Sequence, residues 1–323
     1  MKKILFSAIA LAVSLAGYAQ WKPAGDKIKT TWAEQIDNVL PEYPRPIMER
    51  KEWKNLNGLW EYAIRPTGTQ QPADMDGQIL VPFAVESSLS GVMKTLGKEN
   101  ELWYSREFTV PSSWKGKNIL LHFGAVDWQA DVWVNGVKMG QHRGGYTPFS
   151  FDITPVLAKG KNQITVKVWD PSDEGYQPRG KQVKHPDGIW YTPVSGIWQT
   201  VWMEPVSANH ITRLKTTPDI DKKILTVEAH TATGNPSAVV SVVVSEGGKV
   251  VATGKAMQGQ PVQLAIENAR LWSPENPFLY DMKVTLTDNG KVIDEVNSYA
   301  AMRKYSIRQG ADGITRLQLN NRN

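Results

Sequence analysis

Few residues of this sequence could carry chemistry, and they are widely spaced. His142 and Arg143 stand beside Gly144-Gly145, so they could bind an anionic or hydroxylated ligand, or dock a surface loop onto a neighbouring domain. Asp173-Glu174 is an adjacent acidic pair in a stretch that carries proline and glycine, which is typical of a solvated loop. Asp152, just before Ile153, is typical of a turn residue. None of these residues predicts a catalytic centre.

Metal and nucleic-acid chemistry find no support in the composition. The five histidines are scattered without the spacing of a zinc site, and the sequence has no cysteine. The densest basic group consists of Arg179, Lys181, Lys184 and His185, in a loop with proline and glycine. A protein that binds nucleic acid requires a contiguous basic face, which this isolated group does not form. We therefore expect no cofactor, no metal and no nucleic-acid partner.

The first residues have the pattern of a secretory signal. Lys2 and Lys3 precede an apolar run from Ile4 to Gly17, which is short for a bilayer span, and Gly17-Tyr18-Ala19 places small residues at the −3 and −1 positions. The alternative is an N-terminal membrane anchor. Without cysteine neither a lipoprotein anchor nor a disulfide can form, so a periplasmic or secreted protein must rely on large hydrophobic cores.

We predict that the signal segment, residues 1–19, is cleaved after Ala19. The apolar run and the small residues that follow it are the features that a signal peptidase requires. N-terminal sequencing of the exported protein should begin at Gln20. Recovery of Met1 from a membrane fraction would instead support the anchor.

Short alternating segments indicate an all-β chain. Between residues 164 and 169 the apolar residues fall on every second position, as one buried sheet face requires. Asn135-Gly136 tolerates the positive φ angles of a type I′ turn and predicts a hairpin. No amphipathic helix of normal length is predicted. Strands are expected at 59–64, 102–110, 118–123, 130–134, 163–169, 197–204, 224–229, 238–245, 262–266, 282–287 and 292–296.

The character of the chain changes near Pro205. The preceding part is rich in tryptophan, whereas residues 210–307 are aliphatic and β-branched. About a hundred residues of this kind match an immunoglobulin-like sandwich, and the larger first part fits a jelly roll. We expect a lead-in at 20–50, a jelly-roll β-sandwich at 51–207, an immunoglobulin-like β-sandwich at 208–301 and a short end segment at 302–323.

Three stretches of the sequence resemble glycoside hydrolase family 2. Residues 126–136, continuing to the Gly-Gly-Tyr-Thr-Pro-Phe run at 144–149, are similar to the galactose-binding-like, sugar-binding jelly roll of that family. Residues 188–199 are similar to the element that closes the domain, and residues 271–280 resemble the signature of the immunoglobulin-like second domain. The three occur in the family's order. The family includes β-galactosidases, β-glucuronidases and β-mannosidases.

The resemblance also implies a third domain, a (β/α)₈ barrel that carries two catalytic glutamates. Residues 302–304 and 315–321 resemble the strand pair that leads into this barrel, which needs roughly 250 residues. We therefore expect a non-catalytic N-terminal portion with a disordered or loosely paired end and a tendency to self-associate. The Asn100-Glu101 dipeptide matches the family's acid/base motif in the wrong domain, so no catalytic residue is assigned.

The resemblance points to Asp187 and Trp190 as substrate-binding residues. In several members of the family an acidic residue ahead of the Ser-Gly-Ile element reaches into the active site of the barrel. Trp190 occupies that position by the galactosidase and glucuronidase patterns, and Asp187 fits the mannosidase pattern better. A carboxylate can accept sugar hydroxyls, and an indole can stack on a sugar ring. The alternative is a turn-forming aspartate and a core tryptophan.

Three functions are compatible with these observations. The first is the N-terminal portion of an enzyme of carbohydrate metabolism that cleaves β-linked glycosides, with β-galactosides favoured over β-glucuronides and β-mannosides. The second is a non-catalytic carbohydrate-binding protein. The third is a structural or adhesive β-sandwich protein. The strand pair at the end of the chain favours the first, because a free-standing binding protein has no use for an entry into a barrel.

Overall fold

The computed structural model describes residues 21–26, 28–34, 36 and 40–323, so the predicted signal segment, 1–19, lies outside the described residues. Apart from one short α-helix, α1 (Thr31–Glu34), the described chain is built from strands and 3-10 turns, which confirms the all-β prediction. In the described ranges, none of the helices has the length and apolar character to cross a membrane. The 3-10 turns are Pro46–Met48, Ser88–Ser90, Ser112–Trp114, Thr154–Val156 and Ser172–Glu174.

The first sandwich is formed by antiparallel strands in two main sheets. Its strands are β1 (Lys54–Asn55), β2 (Gly58–Pro66), β3 (Gly77–Val81), β4 (Asn100–Thr109), β5 (Asn118–Phe123), β6 (Val126–Asp127), β7 (Gln129–Val134), β8 (Val137–Arg143), β9 (Phe149–Asp152), β10 (Lys161–Trp169), β11 (Gly196–Ile197) and β12 (Val201–Val206). One sheet has the order β3-β2-β4-β10-β7-β8, the other β1-β12-β5-β9, and β11 pairs with β6.

Alternation of side chains creates the core between these sheets. Ile164, Val166 and Val168 of β10 are fully buried and meet Leu121 and Met203 of the four-stranded sheet in one cluster. Burial of each such aliphatic side chain stabilises the fold by about 1.5–3 kcal/mol. A core of this size accounts for a stable sandwich in a chain that has no disulfide.

The predicted hairpin at Asn135-Gly136 is confirmed, since both residues have positive φ angles, 50° and 78°, between β7 and β8. The single strand predicted at 197–204 is wrong. The Trp198 amide donates to the Ala125 carbonyl at 3.3 Å, so the chain leaves one sheet after β11 and enters another at β12. The apolar pattern of the sequence continues across this crossing, so sequence analysis could not separate the two strands.

The second sandwich follows directly. Its strands are β13 (Ile211–Asp219), β14 (Ile224–Thr231), β15 (Val239–Glu246), β16 (Lys249–Met257), β17 (Val262–Ala265), β18 (Tyr280–Asp288) and β19 (Lys291–Ala300). They form a three-stranded sheet, β13-β14-β17, and a four-stranded sheet, β16-β15-β18-β19. Leu225 and Val227 pack against Val242 and Val284 in a second, separate core.

The lead-in segment binds to both sandwiches through Arg50. The Arg50 guanidinium lies between Glu204 of the first sandwich, 3.0 Å away, and Asp294 of the second, which it contacts through two nitrogens at 3.0 and 2.7 Å. It also donates to the Ile211 carbonyl at 2.7 Å. All three charged residues are buried, so this cluster is a fixed joint between the two units.

The end of the chain forms a regular hairpin rather than a disordered segment. Strands β20 (Tyr305–Gln309) and β21 (Thr315–Leu319) pair in register, and the Asn320 side chain donates to the Trp272 carbonyl at 2.9 Å. Backbone pairing between the two strands therefore gives this segment a defined conformation. Its apolar side chains remain uncovered as expected, since Ile314 and Leu317 are 54% and 80% exposed.

Candidate functional site

Asp187 and Trp190 lie together in one turn of the long segment between β10 and β11. The Asp187 carbonyl accepts a hydrogen bond from the Trp190 amide at 3.0 Å, and its carboxylate accepts one from the Gly188 amide at 2.8 Å. Gly188 has a φ of 58°, a left-handed conformation that suits glycine. Both predicted residues are exposed, and Trp190 is 45% exposed rather than a core residue.

This turn belongs to an exposed aromatic surface. We define the surface by Tyr146, Ile189, Trp190 and Tyr191, whose exposed fractions are 52%, 64%, 45% and 62%. Large apolar side chains that are clustered and exposed mark interaction sites in soluble proteins. The exposed Asp187 carboxylate belongs to the same turn, and exposed rings together with a carboxylate suit a ligand ring that carries hydroxyl groups.

Gln182 connects this surface to the protein beneath it. Its amide nitrogen donates to the Tyr146 hydroxyl at 3.2 Å, and its carbonyl oxygen accepts from the Val194 amide at 2.6 Å. The Tyr191 amide donates to the Lys181 carbonyl at 2.8 Å. The segment is therefore a folded platform, because its backbone groups are paired across the loop.

The acidic pair Asp173-Glu174 also holds this segment in place. Glu174 contacts Lys184 at 2.5 Å and Lys98 at 2.9 Å, and these two ammonium groups lower the pKa of its carboxyl. Asp173 accepts a hydrogen bond from the Lys184 amide at 3.2 Å. The pair thus fastens the loop to the turn before β4.

Beneath the segment lie three buried carboxyl groups, Glu86, Asp127 and Asp170, which we call the carboxyl trio. Asp170 accepts from the Ser195 hydroxyl at 2.7 Å and from the Ser172 amide at 2.8 Å. Glu86 accepts from the Ser195 amide at 2.9 Å through one oxygen, whereas its other oxygen is buried without a partner among the described residues. The trio therefore ties both ends of the loop segment together.

Burial dominates the titration of the carboxyl trio. It raises the pKa of Glu86 to about 7 and that of Asp127 to about 7, and the charge of Asp170 adds to both shifts. Burial also raises the pKa of Asp170. Carboxyls with raised pKa values are candidates for general acids, so their access to a substrate decides their role.

The carboxyl trio is closed to substrates. Glu86, Asp127 and Asp170 are 8%, 3% and 2% exposed. The backbone of Gly145 lies directly on the Asp127 carboxyl, so that a Cβ atom at position 145 would collide with it. No three acidic or histidine side chains among the described residues converge into a metal site. We conclude that the trio supports the loop and does not act on a ligand.

The structure corrects the placement of His142 and Arg143, which end strand β8 instead of forming a loop. His142 stacks on Phe149 at 4.2 Å, and burial lowers the pKa of its imidazole. Arg143 donates to the Gln129 side chain at 3.0 Å. Register explains this placement, because polar edge strands such as β8 do not show the apolar alternation of central strands.

The remaining sequence candidates have structural positions. Glu101 of β4 is 5% exposed and pairs with Lys167 of the neighbouring strand β10 at 3.0 Å. The Asn100-Glu101 match therefore carries no catalytic group. Asp152 accepts a hydrogen bond from the Thr154 amide at 3.0 Å, as a turn residue does.

Two family models match consecutive parts of the chain. Residues 93–204 match the sugar binding domain of glycosyl hydrolases family 2, and residues 209–303 match a second domain described as glycosyl hydrolases family 2. These ranges fall on the first and the second sandwich, respectively.

Similar proteins include a β-glucuronidase of Paenibacillus borealis, 29% identical over 82% of this chain and 47% of that protein. A β-galactosidase of Thermoanaerobacter pseudethanolicus is 31% identical over 64% of this chain and 28% of its own length. The solved structure of a β-glucuronidase from Ruminococcus gnavus in complex with D-glucuronic acid has the same fold over 87% of this chain and 50% of that chain, with a TM-score of 0.67 and 24% identity. The chain thus spans at most about half the length of these proteins.

Proposed function

The chain belongs to glycosyl hydrolase family 2, and from this premise we propose that it forms the non-catalytic, substrate-facing part of an enzyme that hydrolyses β-linked glycosides. The observation that carries the proposal is the exposed turn of Asp187 and Trp190, held on a platform in the sugar-binding sandwich. We further propose that the protein is exported to the periplasm or secreted, from the pattern of residues 1–19.

In this proposal the turn contacts the sugar and leaves bond cleavage to other groups. The Asp187 carboxylate accepts hydrogen bonds from sugar hydroxyls, and the Trp190 indole covers an apolar ring face. The two reacting carboxyls, which retaining hydrolysis needs about 5–5.5 Å apart, are proposed to lie in a (β/α)₈ barrel of a longer protein. The closed carboxyl trio and the length of the relatives support this division.

The proposal names β-glycosides as the substrate class. Sequence analysis favoured β-galactosides, and relatives of similar identity are named β-glucuronidase and β-galactosidase. Both substrates therefore belong in the test, side by side, together with a β-mannoside.

We predict that Asp187→Ala lowers kcat/KM about ten- to a hundredfold in a fusion of this chain to the catalytic region of the Paenibacillus borealis relative. Loss of a hydrogen bond to a buried sugar hydroxyl costs about 1–3 kcal/mol, and the corresponding fold-changes bracket this range. Trp190→Ala should have an effect of similar size through lost stacking. Hydrolysis of chromogenic glycosides by the fusion measures both.

Asp219→Ala is the matched control for the Asp187 variant. Asp219 also forms a turn, accepting from the amides of Asp221 and Lys222 at 3.1 and 3.0 Å, but it lies in the second sandwich. Its replacement should leave kcat/KM unchanged. Equal kinetics of the fusion with and without Asp187 would show that this residue only forms a turn.

A second candidate function is sugar binding without hydrolysis, and the exposed aromatic surface favours it over a purely adhesive role. A free-standing binding protein should hold β-glycosides as tightly alone as in the fusion. A substrate-facing part of an enzyme should bind them more weakly alone, because the barrel would supply further contacts.

A further inference from the structure

A small cavity of about 110 Å³ opens at one end of the six-stranded sheet, apart from the turn of Asp187 and Trp190. Its walls include Trp128, Trp169, Tyr176, Gln129, Arg143 and Gln177. The cavity is smaller than the roughly 300–1,000 Å³ of a pocket that encloses a whole ligand. It therefore suits one face of a single ring.

Strand register places the polar and aromatic walls side by side. Trp169 of β10 is opposite Gln129 of β7, which in turn is opposite Arg143 of β8. Their neighbours Ala130 and Val168 are fully buried in the core, so these three side chains point to the outer face of the sheet.

Two indoles and a phenol form the apolar part of the cavity. Trp128 and Trp169 meet at 6.2 Å with an interplanar angle of 66°, and the Trp169 N–H donates to the Lys98 carbonyl at 2.8 Å, which fixes the ring. Tyr176 is 95% exposed at the edge of the cavity. The Trp128 N–H has no hydrogen-bond partner among the described residues and remains available as a donor.

The polar part of the cavity offers a cation held in a fixed position. Arg143 donates through Nε to the Gln129 carbonyl oxygen at 3.0 Å, and no carboxylate of the described chain pairs with its guanidinium. Its two terminal nitrogens can therefore form a bidentate contact with a carboxylate. Gln177 donates to the Ser172 carbonyl at 2.7 Å and is only 6% exposed, with its side-chain oxygen packed against Gly175, so it forms a fixed wall of the cavity.

We propose that this cavity is a second sugar site, which binds a uronic acid residue of a glycan. The pyranose ring lies against Trp128 and Tyr176, and its carboxylate contacts Arg143. A neutral hexose lacks the partner for the guanidinium and binds more weakly. The site is independent of the proposed hydrolysis, because none of its residues belongs to the turn of Asp187 and Trp190.

Titration of the full chain with methyl β-D-glucuronide and methyl β-D-glucoside, followed by tryptophan fluorescence and saturation-transfer NMR, tests the proposal. We expect the glucuronide to bind, and the glucoside to bind about tenfold more weakly. Tyr176→Ala and Arg143→Gln should each raise the Kd for the glucuronide about tenfold. Arg143→Lys should keep part of the affinity, since it retains the charge without the planar fork.

Tyr305→Ala is the matched control, because Tyr305 is also an exposed tyrosine, 64% accessible, in the distant hairpin. It should bind the glucuronide like the unaltered chain. Tyr176 is exposed and has no hydrogen-bond partner among the described residues, so its replacement leaves folding intact. Absence of glucuronide binding overturns the proposal. Binding that is lost in Trp190→Ala but retained in Tyr176→Ala and Arg143→Gln also overturns it, since the ligand then occupies the other site.

Discussion

Replacing Arg50 with alanine is expected to lower the free energy of unfolding by about 3–5 kcal/mol. The substitution leaves Glu204 and Asp294, which are 0% and 8% exposed, without their shared cation. Buried charges that lose a partner keep their desolvation penalty, which explains the size of the effect. The hydrogen bond with His122 and the charges of Arg50 and Arg45 lower the pKa of Glu204, against the effect of burial, so Glu204 is ionised in the folded protein.

Urea denaturation of the unaltered chain and the variant measures this loss. Lys283→Ala is the control, because Lys283 pairs with Glu295 at 3.0 Å on the surface, where such pairs contribute about 0–1 kcal/mol. Limited proteolysis should also cut the Arg50 variant faster near residues 206–210, since the joint between the sandwiches is weakened. A loss no larger than that of the control would show that Arg50 is not a structural joint.

The second large effect is a fall in stability as the pH rises from about 5 to 8. The folded pKa of Glu86 is about 7, against an ordinary value of 4.5. Its protonated form therefore favours the folded state fully below about pH 4.5, and this contribution is lost as the pH rises through 7. A shift of this size corresponds to about 3 kcal/mol. Asp127 acts in the same direction.

Glu86→Gln should remove the Glu86 part of this dependence. The glutamine keeps an acceptor for the Ser195 amide and places an N–H₂ group where the unpartnered oxygen lies. Burial lowers the pKa of His122, which acts in the opposite direction, but His122 is common to both proteins and cancels in the difference.

Unfolding free energies at pH 5 and pH 8 test this second prediction. The variant should gain about 3 kcal/mol relative to the unaltered chain at the higher pH. Glu107→Gln, at an exposed pair with Lys161, controls for the substitution itself. Parallel pH profiles of Glu86→Gln and the unaltered chain would refute the account of the carboxyl trio.

The sequence was sufficient to predict the strands whose side chains alternate between core and solvent. The strand predicted at 163–169 is observed at Lys161–Trp169, and this strand and the turn at Asn135-Gly136 were both predicted from local pattern alone. Strands such as Lys249–Met257 were missed, because an edge strand with mostly exposed residues shows little alternation. Alternation of apolar residues therefore identifies a strand when one of its faces is buried. It does not identify a strand when neither face is fully covered.

The geometry of the candidate site was predictable only in part. Asp187 and Trp190 were proposed because they precede a recognisable Ser-Gly-Ile element, and the structure places both in one exposed turn whose geometry follows from Gly188. The carboxyl trio was not found, because Glu86 is 84 residues from Asp170 and only the pairing of both with Ser195 brings them together. Long-range contacts of this kind leave no periodic signal in the sequence.

The most direct test of the central claim is the hydrolysis of chromogenic β-galactoside, β-glucuronide and β-mannoside by this chain alone. The account predicts no turnover above a buffer control, because the carboxyls with raised pKa values are closed off and the turn of Asp187 and Trp190 is proposed only to contact the sugar. Turnover of any of the three that is abolished by Glu86→Gln or Asp127→Asn would contradict it, since the catalytic groups would then lie within this chain.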